Sequence, residues 1–189
     1  MKYGELNLGQ IEALVNKLGG MTAVEGILRG DNLRDSIAKL ITPAFPVYTV
    51  TVDRDKKLKA MIEAGRYDWT NSDITDQRFP VEGSGTEPVE IILRHYDKVM
   101  STDAVLADLD KDGLRPIRIE ELLALGADPK TRDLQREFPI IALASVWRDA
   151  VGDRRVACLF RGASERRLVL GSVGNGWVEF CRFAAVRKS

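Results

Sequence analysis

An alternation of apolar and variable residues near the end of the sequence constrains the fold most strongly. Leu168 and Leu170 alternate with Arg167 and Val169, and a glycine-rich stretch follows. Successive side chains of a β-strand point to opposite faces of its sheet, so a period of two predicts a strand with one face against a core. We therefore expect the two leucines to be buried. Their neighbours, including Gly171, are expected to be exposed.

Similar patterns elsewhere predict a mixed helix-and-sheet protein. Alternating or β-branched runs predict strands at 47–52, 89–95, 138–147, 155–160, 167–173 and 177–186. Amphipathic runs predict helices at 56–65, 102–109 and 119–125, the last ended by Gly126. Residues 66–86 are predicted to be a connecting segment and 113–116 a turn. The order from residue 89 onward is strand, two helices and then antiparallel strands, which indicates an α+β fold.

The first 46 residues are predicted to form a separate helical unit. Leu8, Ile11 and Val15 are spaced as on one face of an amphipathic helix, which a glycine pair ends. Shorter helices are predicted at 23–28 and 32–41. The predicted organisation is a helical unit at 1–46, a strand, helix and connecting segment at 47–88, and a larger domain at 89–189.

Composition excludes several classes of function. The sequence has 28 basic residues (lysine and arginine) and 28 acidic residues (aspartate and glutamate), so its formal net charge is zero. A chain without net positive charge has no overall electrostatic attraction for nucleic acid. No apolar run is long enough to cross a bilayer, and the start of the sequence lacks the apolar core of a signal peptide. Two cysteines, Cys158 and Cys181, do not make a disulfide framework. We expect a reduced, cytoplasmic protein without a membrane partner.

Two motifs begin like ligand sites but lack the residues that would complete them. The segment 108–113 matches the opening of a calcium loop, yet its twelfth position, which needs a bidentate glutamate, is Ile119. Gly171, Gly174 and Gly176 do not join a strand to a helix, as a dinucleotide-binding loop would. The first motif is therefore expected to be a solvated helix end and the second a hairpin tip. We predict no metal ion and no cofactor.

Enzyme chemistry has little support in the sequence. His95 is the single histidine, and nothing in the local sequence places it beside Cys158, Cys181 or a serine. Arg182 next to Cys181 favours a thiolate, but the apolar strand around this thiol indicates a small buried hydrophobic residue. We predict no catalytic residue.

Basic residues are frequent in the last quarter of the chain. They form either an anion-binding face or a set of charges that face water and pair across the sheet, and the second interpretation is favoured. The residues concerned are Arg148, Arg154, Arg155, Arg161, Arg166, Arg167, Arg182, Arg187 and Lys188.

Four segments of the second half carry a resemblance to a known family. They are 120–126, 138–147, 167–170 and 177–187, the last with an Arg-Phe-Ala-Ala-Val-Arg ending after a tryptophan. Through them the region from Val89 to Lys188 resembles the variable proteins of diversity-generating retroelements. These proteins display diversified residues on a C-type-lectin-like fold. The resemblance implies that fold for the second half and a ligand-binding function without catalysis.

The resemblance also implies which residues vary. Diversification in that family acts on template adenines, typically in AAC-type codons, and these codons cannot become lysine, glutamine, glutamate, methionine or tryptophan codons. Trp177 is therefore expected to belong to the scaffold with Leu168, Leu170, Phe183 and Val186, and Glu179 departs from the pattern of a diversified position. The implied contact surface comprises Arg167, Val169, Gly171, Ser172, Val173, Gly174, Val178 and Phe180.

The sequence thus predicts a protein that binds a protein or another macromolecular ligand. An alternative is a nucleic-acid-binding or antitoxin-like regulatory protein that uses its N-terminal helices. The arrangement of two short helices joined by a glycine pair resembles a helix-turn-helix. Its polar or basic side chains, Asn16, Lys17, Thr22 and Arg29, are too few for a convincing recognition helix. Nucleic acid is therefore the less favoured partner.

Overall fold

The computed structural model describes residues 8–17, 20–28 and 45–188. The chain divides into two compact units, Met1–Phe45 and Pro46–Ser189. Two helices are described in the first unit, α1 (Leu8–Lys17) and α2 (Met21–Leu28). The helix predicted at 32–41 lies outside the described residues. None of the helices in the described ranges is both long and apolar enough to cross a lipid bilayer.

The second unit combines one large sheet with three α-helices. The strands are β1 (Val47–Asp53), β2 (Trp69–Thr70), β3 (Thr86–His95), β4 (Leu114–Pro116), β5 (Ile140–Arg148), β6 (Arg154–Gly162), β7 (Glu165–Ser172) and β8 (Arg182–Arg187). The helices are α3 (Leu58–Gly65), α4 (Thr102–Lys111), α5 (Ile119–Ala127) and a 3₁₀ helix at Arg132–Arg136.

The sheet is mainly antiparallel, in the order β1-β3-β8-β5-β6-β7-β2, and β4 also pairs with β8. Only the β5–β8 and β2–β7 pairings are parallel among these strands. The predicted mixture of helices with a large, mainly antiparallel sheet is therefore confirmed. Strand β3, which opens the region of family resemblance, pairs with the terminal strand β8.

Three of the differences from the sequence predictions have a clear physical reason. Strand β8 begins at Arg182 rather than at 177, because the N–H of Cys181 turns back to the carbonyl of Val178. The predicted turn at 113–116 contains β4, because these residues pair with the end of β8. Helix α5 continues through Gly126 instead of ending there. A side chain at that position would overlap the hydroxyl of Tyr67, so glycine is needed for close packing rather than for termination.

One face of the sheet packs on α3 and α5. Leu159 and Leu168 are cross-strand partners on this face, and Ile140 pairs with Leu159 from the other side. They share one buried cluster with Leu58 of α3 and Leu122 of α5. The predicted alternation is therefore confirmed for Leu168, which is fully buried.

The opposite face carries a second set of buried residues. Ile141, Cys158 and Phe183 lie there, because each alternates with a residue of the first face. Helix α4 covers part of this face: the Thr102 hydroxyl donates to the carbonyl of Val173 at 2.9 Å. The sheet is thus covered by α3 and α5 on the first face and partly by α4 and the loop 173–181 on the second.

A buried arginine connects β7 to the helices. Arg166 donates to the carbonyls of Gly65 at 2.7 Å, Gly126 at 2.6 Å and Arg132 at 3.1 Å. Gly65 ends α3 and Gly126 lies in the last turn of α5, and helix C-termini carry partial negative charge. The guanidinium also lies 5.2 Å from the ring centre of Tyr67. Burial lowers the pKa of Arg166, and these oriented carbonyls supply the compensation for its charge.

Replacing Arg166 with leucine is expected to lower the free energy of unfolding by about 3 kcal/mol or more, because three carbonyls lose a donor and each loss costs roughly 1–3 kcal/mol. Urea unfolding of the purified chain measures the change. Arg161→Leu is the matched control, since Arg161 is the exposed cross-strand partner of Arg166. The control should change stability by about 0.5 kcal/mol or less. Equal effects of the two substitutions would contradict the helix-connecting role.

Candidate functional site

The residues predicted to form a contact surface lie on β7 and in the loop 173–181 after it. They do not all share one exposed patch. On β7 the predicted residues are half-buried, and in the loop three of them are exposed. The half-buried set is Arg167, Val169, Gly171 and Ser172, and the exposed set is Gly174, Val178 and Phe180.

The predicted exposure of Val173 is wrong. Its side chain is only 5 % exposed. The chain turns inward after β7. The N–H of Val173 donates to the backbone carbonyl of Arg154, and the carbonyl of Val173 accepts from the Thr102 hydroxyl. A substitution at Val173 therefore alters the buried residues on the second face of the sheet instead of a contact surface.

Gly171 is also unsuited to a variable position. A Cβ atom at this residue would lie 2.9 Å from the sulfur of Cys158 and 3.0 Å from the ring of Trp177. Such distances require neighbouring atoms to move, and both neighbours are buried. Gly171 thus provides the space into which Trp177 packs.

Trp177 holds the loop against α4, as expected of a scaffold residue. Its indole N–H donates to the hydroxyl of Thr102 at 2.8 Å, and its backbone exchanges two hydrogen bonds with Met100. Its ring meets that of Phe183 edge to face at 6.0 Å. The predicted burial of Trp177, Phe183 and Val186 is confirmed. Leu170 packs against the first core but stays half-buried.

A cleft of about 240 Å³ opens beside Phe180. Phe180 and Phe160 form its exposed walls, with 55 % and 39 % of their surfaces accessible. Phe138 and Pro139, which precede β5, line the same cleft. Exposed aromatic side chains are informative because a folded chain normally buries such large apolar surfaces.

The exposed surface continues from the cleft across three strands. Phe160 of β6 pairs with Arg167 of β7, and Arg167 pairs with Trp69 of β2. The Arg167 guanidinium lies 6.0 Å from the centre of the Trp69 ring, which is 45 % exposed. We call Phe180, Phe160, Arg167 and Trp69 the aromatic row.

Sequence reasoning missed two members of this row. Phe160 ends the continuous apolar run 156–160, so alternation did not assign it to an outer face. Trp69 lies in a two-residue strand that forms only because β7 is beside it. The available signal was the single tryptophan of the connecting segment 66–86.

Gln135 fixes the strands that carry the row. Its side-chain amide is buried and donates to the carbonyls of Phe160 at 2.9 Å and Arg167 at 3.2 Å. Both acceptors are carbonyl oxygens, so the orientation of the amide is determined by the hydrogen bonds. The 3₁₀ helix thereby positions β6 and β7 at the cleft.

Positive charge surrounds the cleft unevenly. Arg136 is paired with Asp133 at 3.0 Å, whereas Arg161 forms no ion pair within the described part of the chain. The Arg182 guanidinium lies 4.7 Å from the centre of the Phe138 ring and donates to the carbonyl of Phe180. Glu137 also lines the cleft, is exposed and forms no ion pair among the described residues, so the lining includes unpaired residues of both signs.

The groups weighed for catalysis are buried or engaged in contacts with other residues. The Nε2 atom of His95 lies 2.8 Å from the carbonyl of Glu179 and its Nδ1 atom 3.4 Å from the carboxylate of Asp97. Burial raises the pKa of Cys158 to about 12 and also raises the pKa of Cys181. Both thiols are buried, as expected for Cys181. A high thiol pKa suits a small hydrophobic side chain and opposes nucleophilic use at neutral pH.

The aspartates of the calcium-like motif are engaged by side chains of the same chain. Asp108 accepts hydrogen bonds from Arg94 and Tyr96, both at 2.6 Å, and Asp112 pairs with Arg94 at 2.7 Å. The Tyr96 hydrogen bond, followed by that of Arg94, lowers the pKa of Asp108. These carboxylates thus fasten the end of α4 to β3.

Two adjacent glutamates in the first turn of α5 are buried in different environments. Glu121 accepts from Arg115 at 2.7 and 3.0 Å and from the N–H of Arg118 at 2.8 Å. Neither oxygen of Glu120 has a hydrogen-bond partner among the residues that the structure describes, and the Nε of Arg54 is 3.8 Å away. Burial raises the pKa of Glu120. A recess of about 80 Å³ lies beside Glu120, but water cannot reach the carboxyl oxygens.

No protein-family model, no curated protein and no solved structure matches this chain. A functional proposal therefore rests on the residues of the sites themselves. Of the two candidates, the recess at Glu120 is closed to ligands at its carboxyl group. The aromatic row with its cleft is open, and two residues of the predicted contact surface, Arg167 and Phe180, belong to it.

Replacing Glu120 with glutamine is expected to stabilise the protein at neutral pH. The folded-state pKa of Glu120 lies above its ordinary value of 4.5, so its contribution to stability is present below 4.5 and is lost as pH rises through the folded-state pKa. The advantage of Glu120→Gln over wild type should therefore grow with pH in urea unfolding. Glu121→Gln serves as the comparison. It should lower the free energy of unfolding by about 3 kcal/mol or more, because Arg115 loses its buried ion-pair partner. An advantage that does not vary with pH would contradict this assignment.

Two aromatic residues of the same loop should differ sharply in stability. Trp177→Ala is expected to cost about 3–5 kcal/mol, the usual range for removing a buried aromatic side chain. Phe180→Ala should change stability by about 0.5 kcal/mol or less, because its ring faces water. Thermal and urea unfolding measure both. A large loss for Phe180→Ala would place this residue in the core.

Proposed function

We propose that this chain is a non-catalytic binding protein whose contact surface is the aromatic row and the adjoining loop 173–181. The observation that carries the proposal is the exposure of Phe160, Phe180 and Trp69 around a cleft and along one face of a sheet. Aromatic and arginine side chains supply most of the binding energy at protein interfaces. A large exposed apolar patch on a folded domain marks an interaction site.

The support beneath the row is rigid. Phe160 and Arg167 lie on paired strands whose backbone hydrogen bonds do not depend on side-chain identity. Gln135 adds two hydrogen bonds from below, and Arg166 anchors β7 to the helices. A surface on such a frame can exchange its side chains while the backbone keeps its position.

We further propose that the second unit is a C-type-lectin-like domain of a retroelement variable protein. The pairing of β3 with β8 and the two helices α4 and α5 between β3 and the later strands support this proposal. Val173 and Gly171 leave the proposed variable set because of their packing. The retained contact residues are Arg167, Val169, Ser172, Gly174, Val178 and Phe180, joined by Phe160 and Trp69.

The genomic neighbourhood tests the retroelement assignment. We expect a reverse-transcriptase gene and a near-copy of the 3′ end of this gene that differs at adenines. The differences should fall in the codons of Arg167, Val178 and Phe180, whose side chains reach solvent. Differences in the codon of Trp177, or a neighbourhood without the reverse transcriptase, would overturn the assignment.

A peptide selection tests the binding function. Phage displaying random 12-residue peptides should yield clones that bind the full chain and lose binding to the double variant Phe160→Ser/Phe180→Ser. The matched control is Val146→Ser/Val151→Ser, which also removes two exposed apolar residues but leaves the cleft intact. Clones should bind the control as they bind wild type. If no clone distinguishes the two double variants, the row is not a binding surface.

A further inference from the structure

We infer that the outer edge of β1 is a second docking site, which takes an extended segment of a partner protein as an added strand. The segment would carry a small apolar residue that enters the recess beside Glu120. This inference goes beyond the proposed function and does not depend on it. Strand β1 and the strands that carry the aromatic row lie at opposite ends of the sheet.

Strand β1 presents an unprotected edge. It pairs with β3 over all seven of its residues without a register shift, and its other side ends the sheet. Its sequence contains neither lysine nor proline, two residues that commonly protect exposed edge strands from pairing with other chains. The strand at the opposite end of the sheet, β2, has only two residues. Of these two ends, β1 is the one long enough to template another strand.

The backbone groups of alternate residues in β1 point away from β3. The N–H of Leu93 donates to the carbonyl of Pro46, and the N–H of Arg54 donates to the carbonyl of Gly85. Hydrogen-bonded pairs alternate along an antiparallel ladder, so the even-numbered residues of β1 bond to β3 and the odd-numbered ones face outward. Within the described part of the chain, the outward residues make no further backbone hydrogen bond; they are Val47, Thr49, Thr51 and Asp53. Strand addition satisfies such a row of donors and acceptors.

The recess beside this edge has room for one side chain of an added strand. It is lined by Thr51 and Asp53 of β1 and by apolar residues of α3 and α5, namely Met61, Ala64, Leu123, Ala124 and Ala127. A residue of the added strand opposite Val52 would point to the same face as Val52, towards this recess. The recess measures about 80 Å³, and a water molecule occupies about 30 Å³ of the liquid. Its size therefore suits a small side chain.

The charges around the recess favour an uncharged side chain. Asp53 and Lys56 pair with each other at 3.2 Å. The carboxyl oxygens of Glu120 are buried and lack a hydrogen-bond partner among the described residues, so an acidic side chain would bring a second carboxylate towards an uncompensated one. A basic side chain would lose its water without reaching those oxygens, which is also costly. Alanine or valine meets both conditions.

A second copy of this chain does not suit the recess. Pairing through its own β1 would direct its Val50 and Val52 to the helix side of the sheet. Both side chains are at most 2 % exposed and belong to the buried cluster of their own copy. They cannot leave that cluster to fill the recess. A segment without helices packed on it has free side chains on both faces, so the occupant is an extended segment of a partner protein.

The test starts from a chain in which the aromatic row cannot supply the binding. Phage displaying random 12-residue peptides are selected on the full-chain variant Phe160→Ser/Phe180→Ser, and the clones are made as synthetic peptides. Fluorescence anisotropy should show at least about a tenfold loss of affinity for Thr49→Pro relative to wild type, the order of effect of losing a hydrogen bond. Proline at this position removes only an outward N–H and is tolerated in an edge strand. Thr49→Val keeps the N–H and should bind as wild type does.

The recess has its own variant. Ala124→Leu fills it and should weaken the same peptides at least about tenfold, because the small side chain loses its place. Ala107→Leu, at an exposed position of α4, is the matched control and should leave the affinity unchanged. Replacing the small apolar residue of a peptide with aspartate should abolish its binding to wild type. Peptides that tolerate both Thr49→Pro and Ala124→Leu would overturn the inference while leaving the aromatic row untouched.

Amide hydrogen exchange in the wild-type chain gives a measurement that needs no variant. Saturating peptide should slow exchange at Thr49 and Thr51, whose N–H groups are free in the unbound edge. The N–H groups of Tyr48 and Val50 already bond to β3 and should change less. Unchanged exchange at Thr49 and Thr51, or a selection without clones, would contradict the docking site. A dimer in light scattering that dissociates in Thr49→Pro would identify a second copy as the occupant and would also overturn the inference.

Discussion

The contacts of Arg166 are the interaction on which the rest of the second unit depends. Its guanidinium joins the ends of α3 and α5 and the start of the 3₁₀ helix to a single strand. The charge is balanced by oriented carbonyls rather than by a carboxylate, so it requires those helix ends to be in place. Because Arg167 follows it on the other face of β7, the residue that fixes the strand is adjacent to one that meets solvent. Two consecutive residues thus serve different purposes: Arg166 holds β7 to the helices, and Arg167 belongs to the aromatic row.

Incomplete cover of the second face creates the candidate site. Helix α4 and the loop 173–181 cover the strands near Phe183, where Trp177 bonds to Thr102. Phe160, near the β6–β7 hairpin, remains 39 % exposed. On the first face, α3 and α5 pack against the strands through one buried cluster. The asymmetry between the two faces accounts for the position of the aromatic row.

Local patterns predicted the elements better than the surface. The alternation of Leu168 and Leu170 depends only on strand geometry, so strand and face followed from sequence. Val173 continues the same alternation, but its burial depends on Thr102, seventy-one positions earlier, whose hydroxyl binds its carbonyl. The constraint on Gly171 depends likewise on the ring of Trp177 and the sulfur of Cys158. Contacts between distant segments decide exposure, and a period of two contains no information about them.

The arrangement of the loop explains how a binding surface can change without loss of the fold. Trp177 fixes one end through Met100 and Thr102, and the other end enters β8, where the N–H of Arg182 donates to Pro139. Between these points the side chains of Val178 and Phe180 face water. Substituting them alters the apolar wall of the cleft, while the hydrogen bonds that hold the loop remain on the backbone and on Trp177.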